Sequence, residues 1–260
     1  MATKGIDLLP NIRRLFIPDP GYLILDADLS GADAQVVAWE ADDEDLKDAF
    51  KAGLKIHEKN ATDMWGDAYT SLEGSPRAHR YKQVKAGVHA TNYGGSARTL
   101  AIKLGWTVAE ATNFQKRWFK LHPGIKTNFH GGVRDSLERS RRVRNKFGFH
   151  IIYFDRIDSV FTEALAWIPQ STVALTCFAG ALQVREALPW VNMLIQVHDS
   201  LVMQIPKNRQ ADIPLIGRHL LNPVPYDDPL TIPWGISLSD RSWGHVQECD
   251  GWEEAATLKF

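Results

Sequence analysis

The pattern of apolar positions predicts strands at two places that lie far apart in the sequence. Residues 21–30, GYLILDADLS, open on a glycine and continue in aliphatic residues, which is typical of a buried β-strand. Residues 191–206, VNMLIQVHDSLVMQIP, are apolar on both sides of His198 and Asp199 and predict two strands that meet there. A carboxylate rarely enters such an apolar segment unless another group compensates its charge. The position of Asp199 therefore indicates a charged partner.

Helical patterns fill most of the sequence between these two regions. Glycine or Pro-Gly residues end several of them, as is common at helix C-termini. The predicted helices cover residues 32–53, 56–66, 75–95, 107–124, 125–143 and 160–188, the last interrupted at Pro169, and residues 147–157 predict a strand or hairpin. This order predicts one discontinuous platform of strands with a helical excursion. The tail after Pro206 is Pro-rich and then acidic, and it carries no clear pattern.

Composition places the chain in a broad class. Its 260 residues are 44% hydrophobic and 23% charged, which supports a folded globular core. Cys177 and Cys249 are too few and too isolated for a disulfide framework or a zinc site. The N-terminal residues lack the apolar stretch of a signal peptide. We therefore expect a reducing, cytoplasmic compartment and no membrane partner.

A net charge of −1 conceals one strongly basic segment. Between Ser75 and His150 there are 16 Lys and Arg residues against three acids. The densest part is ERSRRVRNK, residues 138–146, which contains Arg141, Arg142 and Arg144. Such a segment attracts phosphates, although a solvated basic face is the alternative interpretation.

Two carboxylates and one helix face are candidates for chemistry. Asp26 and Asp28 share a strand face, and Asp28 can meet Asp199 if the two strand regions are neighbours. Close carboxylates repel unless a cation lies between them, and Mg²⁺ prefers oxygen ligands. A structural ion network is the alternative. On the helix, side chains spaced four apart place a cation, an imidazole and two aromatic rings along one side, namely Tyr81, Lys85, His89 and Tyr93.

Three stretches carry a resemblance to a known family. The sequences DLSGADAQVVAW (28–39), YKQVKAGVHATNYGG (81–95) and QVHDS (196–200) resemble motifs A, B and C of family A DNA polymerases, which are the DNA polymerase I-like enzymes. The likeness is closest to the bacteriophage replicases and runs in the right order over roughly residues 9 to 206. It extends to IRRLFIPDPGYLILD (12–26), IHEKNATDMWG (56–66), FKLHPGI (119–125) and WIPQST (167–172).

The resemblance implies a fold of the α/β (α+β) class. It implies a polymerase palm built on an antiparallel sheet, with a helical fingers insertion. Residues 1–40 and 151–260 would form the palm and residues 41–150 the fingers. Because few residues precede Asp28, the thumb and the proofreading exonuclease domain are expected to be absent.

The same resemblance implies roles for individual residues. Asp28 and Asp199 would be the catalytic carboxylates that hold two Mg²⁺ ions together with the carbonyl of Leu29, and Lys85 would be the catalytic lysine that meets the triphosphate of the incoming nucleotide. The implied nucleotide-binding residues are His57, Tyr81, Lys85, His89, Tyr93 and Asp33. The implied DNA-binding residues are Gly94, Gln170 and His198, which join the basic Arg141, Arg142 and Arg144.

Three positions depart from the family pattern. Tyr81 stands where the family usually has an arginine for the phosphates, so Arg80 or Lys82 would have to replace it. Ser200 stands where an acid usually follows the Asp of motif C. Asp33 stands where a glutamate acts as the steric gate against a ribose 2′-hydroxyl, and it is one methylene shorter.

The implied function is template-directed addition of dNTPs to a primer 3′-hydroxyl, in phage DNA replication inside the host bacterial cytoplasm. The expected partners are a primed DNA template, dNTPs, and a separate polypeptide that supplies a thumb and exonuclease or acts as a processivity factor. One alternative is a single-subunit RNA polymerase or primase-like enzyme, against which Asp33 argues, because that family has a small residue there. A second alternative is a non-catalytic module that binds nucleic acid.

Overall fold

The computed structural model describes residues 11–260, and over this range the chain divides into two compact units. The first unit contains residues from both ends of the described chain, and the second is mostly one continuous segment. The first unit comprises the described part of Met1–Ser30 together with Ala174–Pro223 and Thr231–Phe260. The second unit comprises Gly31–Val173 and Val224–Leu230. The predicted division into palm and fingers at residues 40 and 150 remains a prediction.

Helices dominate the described residues, and the strands are few. The α-helices are α1 (Ala32–Glu40), α2 (Glu44–Lys51), α3 (Ile56–Trp65), α4 (Asp67–Thr70), α5 (Gly74–Asn92), α6 (Ala97–Leu104), α7 (Val108–Leu121), α8 (Gly131–Ser140), α9 (Ile157–Ala187), α10 (Ile213–Leu220) and α11 (Trp252–Thr257). The strands are β1 (Tyr22–Leu29), β2 (Arg142–Arg144), β3 (His150–Ile152), β4 (Asn192–Val197), β5 (Ser200–Pro206), β6 (Trp234–Ser239) and β7 (Gln247–Cys249). A π-helical turn, Ile125–His130, precedes α8. The predicted α+β class is confirmed.

A five-stranded antiparallel sheet forms the core of the first unit. Its strand order is β4-β5-β1-β6-β7, so β1 is the central strand. Leu23, Ile24 and Leu25 are fully buried, as expected for a central strand with apolar side chains on both faces. The predicted strand at residues 21–30 and the predicted pair of strands meeting at His198 and Asp199 are both confirmed.

Strands β6 and β7 come from the tail after Pro206, where the apolar pattern predicts no element. In β6, Trp234, Ile236 and Leu238 are buried and alternate with smaller or polar residues. This alternation is typical of a strand. It is hard to recognise in the sequence, because it is only six residues long and follows a Pro-rich segment. Antiparallel pairing with β1 stabilises β6 as a strand of the sheet.

Helices α1 to α8 and the β2–β3 hairpin lie in the second unit. Trp118 of α7 is fully buried, and its indole N–H donates to the Asn92 side chain at 2.8 Å. Phe114, one turn earlier, is 5% exposed and contacts the α5 backbone at Gly87. Helices α5 and α7 therefore pack closely along these two positions.

The prediction that Pro169 interrupts the last long helix is wrong. Helix α9 continues without a break through Pro169 over 31 residues. A proline removes one amide donor, which is a single hydrogen bond in a helix of this length. Leu165, Ile168 and Thr172 on either side are buried, and this packing stabilises the helix through the proline.

Helix α9 is also long and apolar enough to cross a membrane by length and composition alone. Its most apolar window has a mean hydropathy of 1.3, and 44% of that window is buried inside the protein. Core helices of globular proteins pass the same test, and buried residues such as Ala164, Leu165 and Cys177 give α9 the packing of a core helix.

The close packing of α5 on α7 gives a stability prediction. Gly87→Ala is expected to lower the free energy of unfolding by about 1–3 kcal/mol, because an added Cβ would lie 2.7 Å from the Phe114 ring. That ring cannot retreat easily, since Trp65 and Trp106 pack against it. Gly132→Ala in α8, where an added Cβ meets nothing within 4 Å, is the control and is expected to stabilise by about 0.5–1 kcal/mol. Urea denaturation of both variants measures the difference, and equal effects would contradict it.

Candidate active site

Two carboxylates meet where β1 and β5 run side by side in the first unit. Asp28 of β1 is paired in register with Ser200, the first residue of β5, so Asp199 in the preceding turn lies beside Asp28. The Leu29 amide donates to the Asp199 carbonyl at 2.9 Å and fixes the turn against β1. His198, the other turn residue, has a positive φ of 53°. The predicted proximity of Asp28 and Asp199 is confirmed.

The electrostatics of this pair favour the binding of a cation. The pKa of Asp28 is raised to about 6 by burial, by the charge of Asp199 and of Asp26, and by a hydrogen bond with Asp199. Arg13 lowers it only in part, and its guanidinium stacks on the Trp243 ring at 4.4 Å. A cluster of carboxylate oxygens that repel each other fits a hard divalent cation such as Mg²⁺.

A third carboxylate, Asp26, is held by two neutral donors. The Ser200 hydroxyl donates to one Asp26 oxygen at 2.8 Å, and the Trp243 indole N–H donates to the other at 2.6 Å. Ser200 thus directs a hydroxyl at a carboxylate on the neighbouring strand. The result is that the Asp26 carboxylate is fixed in place beside Asp28.

This network gives a prediction for Trp243, which is 6% exposed. Trp243→Phe is expected to lower the free energy of unfolding by about 1.5–3 kcal/mol, because it removes a hydrogen bond to a charged acceptor. Trp234→Phe is the matched control: Trp234 is 7% exposed and donates to the neutral Leu220 carbonyl at 3.0 Å. Trp234→Phe is expected to lower the free energy of unfolding by about 0.5–1.5 kcal/mol. Thermal unfolding of both proteins tests the order, and a larger loss in Trp234→Phe would refute it.

In the second unit, α5 presents the predicted face. Lys85 is exposed, and burial together with the Lys85 charge lowers the pKa of both His57 and His89. Burial contributes most to the shift of His57, whose pKa falls to about 4, so this imidazole is neutral at neutral pH. The His57 Nδ1 atom is buried without a hydrogen-bond partner. The Tyr81 ring packs edge-on against His57 at 5.7 Å.

The end of α5 is arranged around Tyr93. Its hydroxyl donates to the Asp33 carboxylate at 2.7 Å, and burial together with Asp33 raises the Tyr93 pKa well above its usual range. The His89 and Tyr93 rings make an edge contact at 4.6 Å. Gly94 follows with a φ of +72°, and a Cβ there would lie 3.0 Å from Leu165 Cδ1. A glycine is therefore favoured at this position, and a larger residue would be strained there.

The remaining candidate DNA-binding residues differ in accessibility. Arg142 and Arg144 are exposed on one face of β2, on either side of buried Val143. Arg141 is partly buried, and its Nε donates to the Tyr153 carbonyl at 3.2 Å, so it has a structural role. Two others are exposed, namely Gln170, directly after Pro169 in α9, and His198 in the β4–β5 turn.

A second group of potential metal ligands lies at the start of α2. Oxygen or nitrogen atoms of Asp43, Asp45 and His122 lie within 4.8 Å of one another. Asp43 caps α2 by accepting from the Leu46 amide at 3.0 Å and bonds His122 at 3.1 Å. Asp45 already pairs with the Lys59 ammonium at 2.5 Å. These contacts account for the cluster as a structural ion network.

Sequence reasoning missed two residues of the first unit's site. Arg13 acts on Asp28, and Trp243 binds Asp26, although Trp243 lies 217 residues away in the sequence. Arg13 stands in the stretch IRRLF, which the family resemblance included. Nothing in the local sequence around Trp243 indicates its role.

Comparison with known proteins identifies the family. Residues 6–244 match the family model described as DNA polymerase family A, and the chain belongs to this family. It is 30% identical to the thermostable DNA polymerase I of Thermus filiformis over 246 residues, which are 89% of this chain and 28% of that protein. It is 31% identical to DNA polymerase I of Lactococcus lactis subsp. cremoris over 216 residues, which are 78% of this chain and 24% of that protein.

A solved structure supports the fold. The POL domain of Pol1 from M. smegmatis, in complex with DNA primer-template and dNTP, superposes with a TM-score of 0.78 at 22% identity. The superposition covers 90% of this chain and 42% of that chain. The chain spans about a quarter of the length of the curated relatives it matches.

Proposed function

We propose that this protein is a DNA-directed DNA polymerase that adds dNTPs to the 3′-hydroxyl of a primer under the direction of a template. The observation that carries this proposal is the Asp28–Asp199 pair, held at adjacent positions of β1 and the β4–β5 turn in a chain of DNA polymerase family A. The POL domain it resembles was solved with DNA primer-template and dNTP, which supports the same substrates here.

Asp28, Asp199 and the Leu29 carbonyl would hold two Mg²⁺ ions. Bound there, the metal pair would lower the pKa of the primer hydroxyl and neutralise the leaving pyrophosphate oxygens. Strand pairing and the Leu29–Asp199 backbone bond keep the two carboxylates at a fixed separation before substrate binds. Asp26, fixed by Ser200 and Trp243, adds negative charge next to Asp28 without being free to turn.

Residues of the second unit would bind the incoming nucleotide. Lys85 is an exposed cation suited to the triphosphate, and the neutral His57 can donate a hydrogen bond to it. Lys82 is a better replacement than Arg80 for the arginine that Tyr81 displaces. Both side chains are exposed, but the Arg80 guanidinium lies 5.0 Å from the Trp65 ring, whereas Lys82 stands three residues before Lys85 on α5. Tyr93 holds the Asp33 carboxylate, which would act as the gate against a ribose 2′-hydroxyl.

The wider setting is also part of the proposal. The resemblance to phage replicases supports a role in phage DNA replication in the host cytoplasm. A separate polypeptide would supply a thumb and exonuclease or act as a processivity factor. The basic residues between Ser75 and His150, Arg142 and Arg144 among them, would contact template phosphates.

Primer extension by the purified chain tests the proposal. The substrate is a primed DNA template with Mg²⁺ and either dNTPs or NTPs, and a parallel reaction contains EDTA. Extension with dNTPs that EDTA stops is the expected result. Preference for NTPs would move the assignment to RNA synthesis. No extension, either alone or with a polypeptide that supplies a thumb, would overturn the enzymatic assignment.

A further inference from the structure

A pocket outside the residues discussed so far opens between α3, α5 and α7 in the second unit, and we call it the aromatic pocket. Its volume is about 340 Å³, which is in the range of small-molecule binding sites. The lining residues that matter for its chemistry are Trp65, Trp106, Phe114, Arg80, Asn113 and Arg117.

The aromatic wall of this pocket is built on a rigid base. Phe114 is almost fully buried, and the rings of Trp65 and Trp106 pack against it at 6.1 and 5.3 Å between centroids. Gly87 packs so closely against Phe114 that an added Cβ would lie 2.7 Å from the ring. Both tryptophans are only half-buried, so part of each indole faces the pocket. Aromatic surfaces held in this way are suited to stacking with a planar ligand.

Cations surround the same pocket. The Arg80 guanidinium lies 5.0 Å from the Trp65 ring, and Arg117 donates to the Asp63 carbonyl at 3.1 Å. Both arginines are exposed and belong to the segment with 16 basic and three acidic residues. Glu110 also lines the pocket, but its carboxylate is bound by the Thr107 amide and hydroxyl at 2.7 and 2.8 Å. Glu110 keeps its negative charge, because these bonds lower its pKa, and two arginines against one glutamate give the pocket lining a net positive charge.

We propose that the aromatic pocket binds one nucleotide of single-stranded DNA. The base would stack on Trp106, and Arg117 would contact the adjoining phosphate. Stacking on aromatic rings combined with cationic contacts is the general chemistry of single-strand binding. The inference deepens the proposed function, because an unpaired template strand is the single-stranded DNA that a polymerase handles.

Fluorescence anisotropy with labelled oligo-dT tests the inference on the full chain. Trp106→Leu is expected to weaken binding by about tenfold, because one base–aromatic stacking contact is lost. Arg117→Gln is expected to weaken binding and to lower the slope of log affinity against log salt by about 0.7, which corresponds to one phosphate contact. Trp106→Phe keeps a ring in place and should retain most of the affinity. Lys116→Gln removes the same charge from the exposed position next to Arg117, outside the pocket lining, and should leave affinity within about twofold.

The outcomes separate this inference from the proposed function. Wild-type affinity in both Trp106→Leu and Arg117→Gln would overturn the inference, as would an equal loss in Lys116→Gln. It would also be overturned if a glutamate-rich peptide containing phenylalanine, but not oligo-dT, required Trp106 for binding, because the pocket would then be a protein docking site. Arg117 is exposed, so its variant decides the question even if Trp106→Leu fails to fold. Oligo-dT binding is measured without nucleotides or Mg²⁺, so this test of the aromatic pocket remains valid even if primer extension fails.

Discussion

Asp199→Asn is expected to abolish primer extension while it makes the metal-free protein more stable. The asparagine keeps the size of the side chain but removes an anionic metal ligand, so we expect a loss of at least about a thousandfold in kcat. Stability should rise by about 1 kcal/mol after solvent screening is considered, because the repulsion that raises the Asp28 pKa disappears. Opposite effects on activity and stability would show that the carboxylates are placed for metal binding at the expense of the fold.

The measurement combines primer extension with thermal unfolding at several Mg²⁺ concentrations. Mg²⁺ should raise the Tm of the wild-type protein more than that of Asp199→Asn, since a ligand that binds the folded state stabilises it. Asp212→Asn, which alters a surface carboxylate paired with Arg209, is the control and should behave as the wild type. Full activity in Asp199→Asn would refute its role, and a lower Tm than wild type would refute the repulsion.

Lys85→Gln is expected to lower kcat/KM for dNTPs by about 10²–10³, because the triphosphate loses a cation that also balances charge in the transition state. The same change should raise the pKa of His57 from about 4, since the Lys85 charge is one of the groups that lower it. NMR titration of the His57 ring measures this shift independently of activity.

Lys120→Gln on α7 is the control for loss of one exposed positive charge. It should change neither the His57 titration nor the dNTP dependence. If the His57 pKa stayed at about 4 in Lys85→Gln, the electrostatic contact between the two residues would be disproved. If the pKa rose but kcat/KM did not change, Lys85 would be near His57 without binding substrate.

Much of the candidate site could be predicted from the sequence, because it depends on local patterns. The strand with Asp28 has apolar neighbours on both faces, and the turn at Asp199 interrupts an apolar run, so the sequence alone places both carboxylates in strand regions. The four-residue spacing of Tyr81 and Lys85 likewise predicts that both side chains lie on the same side of α5. Periodicity is a local property and is enough to place these residues, whereas the roles expected of them came from the family resemblance.

The features that could not be predicted depend on contacts between distant residues. Strand β6 forms because β1 is already a partner for it, and Trp243 reaches Asp26 only through that sheet. The continuity of α9 through Pro169 depends on packing, which overrides the local preference of proline to end a helix. Tertiary contacts of this kind leave no periodic signal in the sequence.

The central position of β1 has a consequence during translation. Its two neighbours, β5 and β6, are encoded near the other end of the described chain, so the ribosome must synthesise most of the protein before β1 can pair. Until then the nascent chain exposes Leu23, Ile24 and Leu25, which are fully buried later. An unpaired apolar strand is prone to aggregate and to bind chaperones. We therefore expect the yield of folded protein in cells to depend on chaperone capacity, and a chain that stops before β6 to be insoluble.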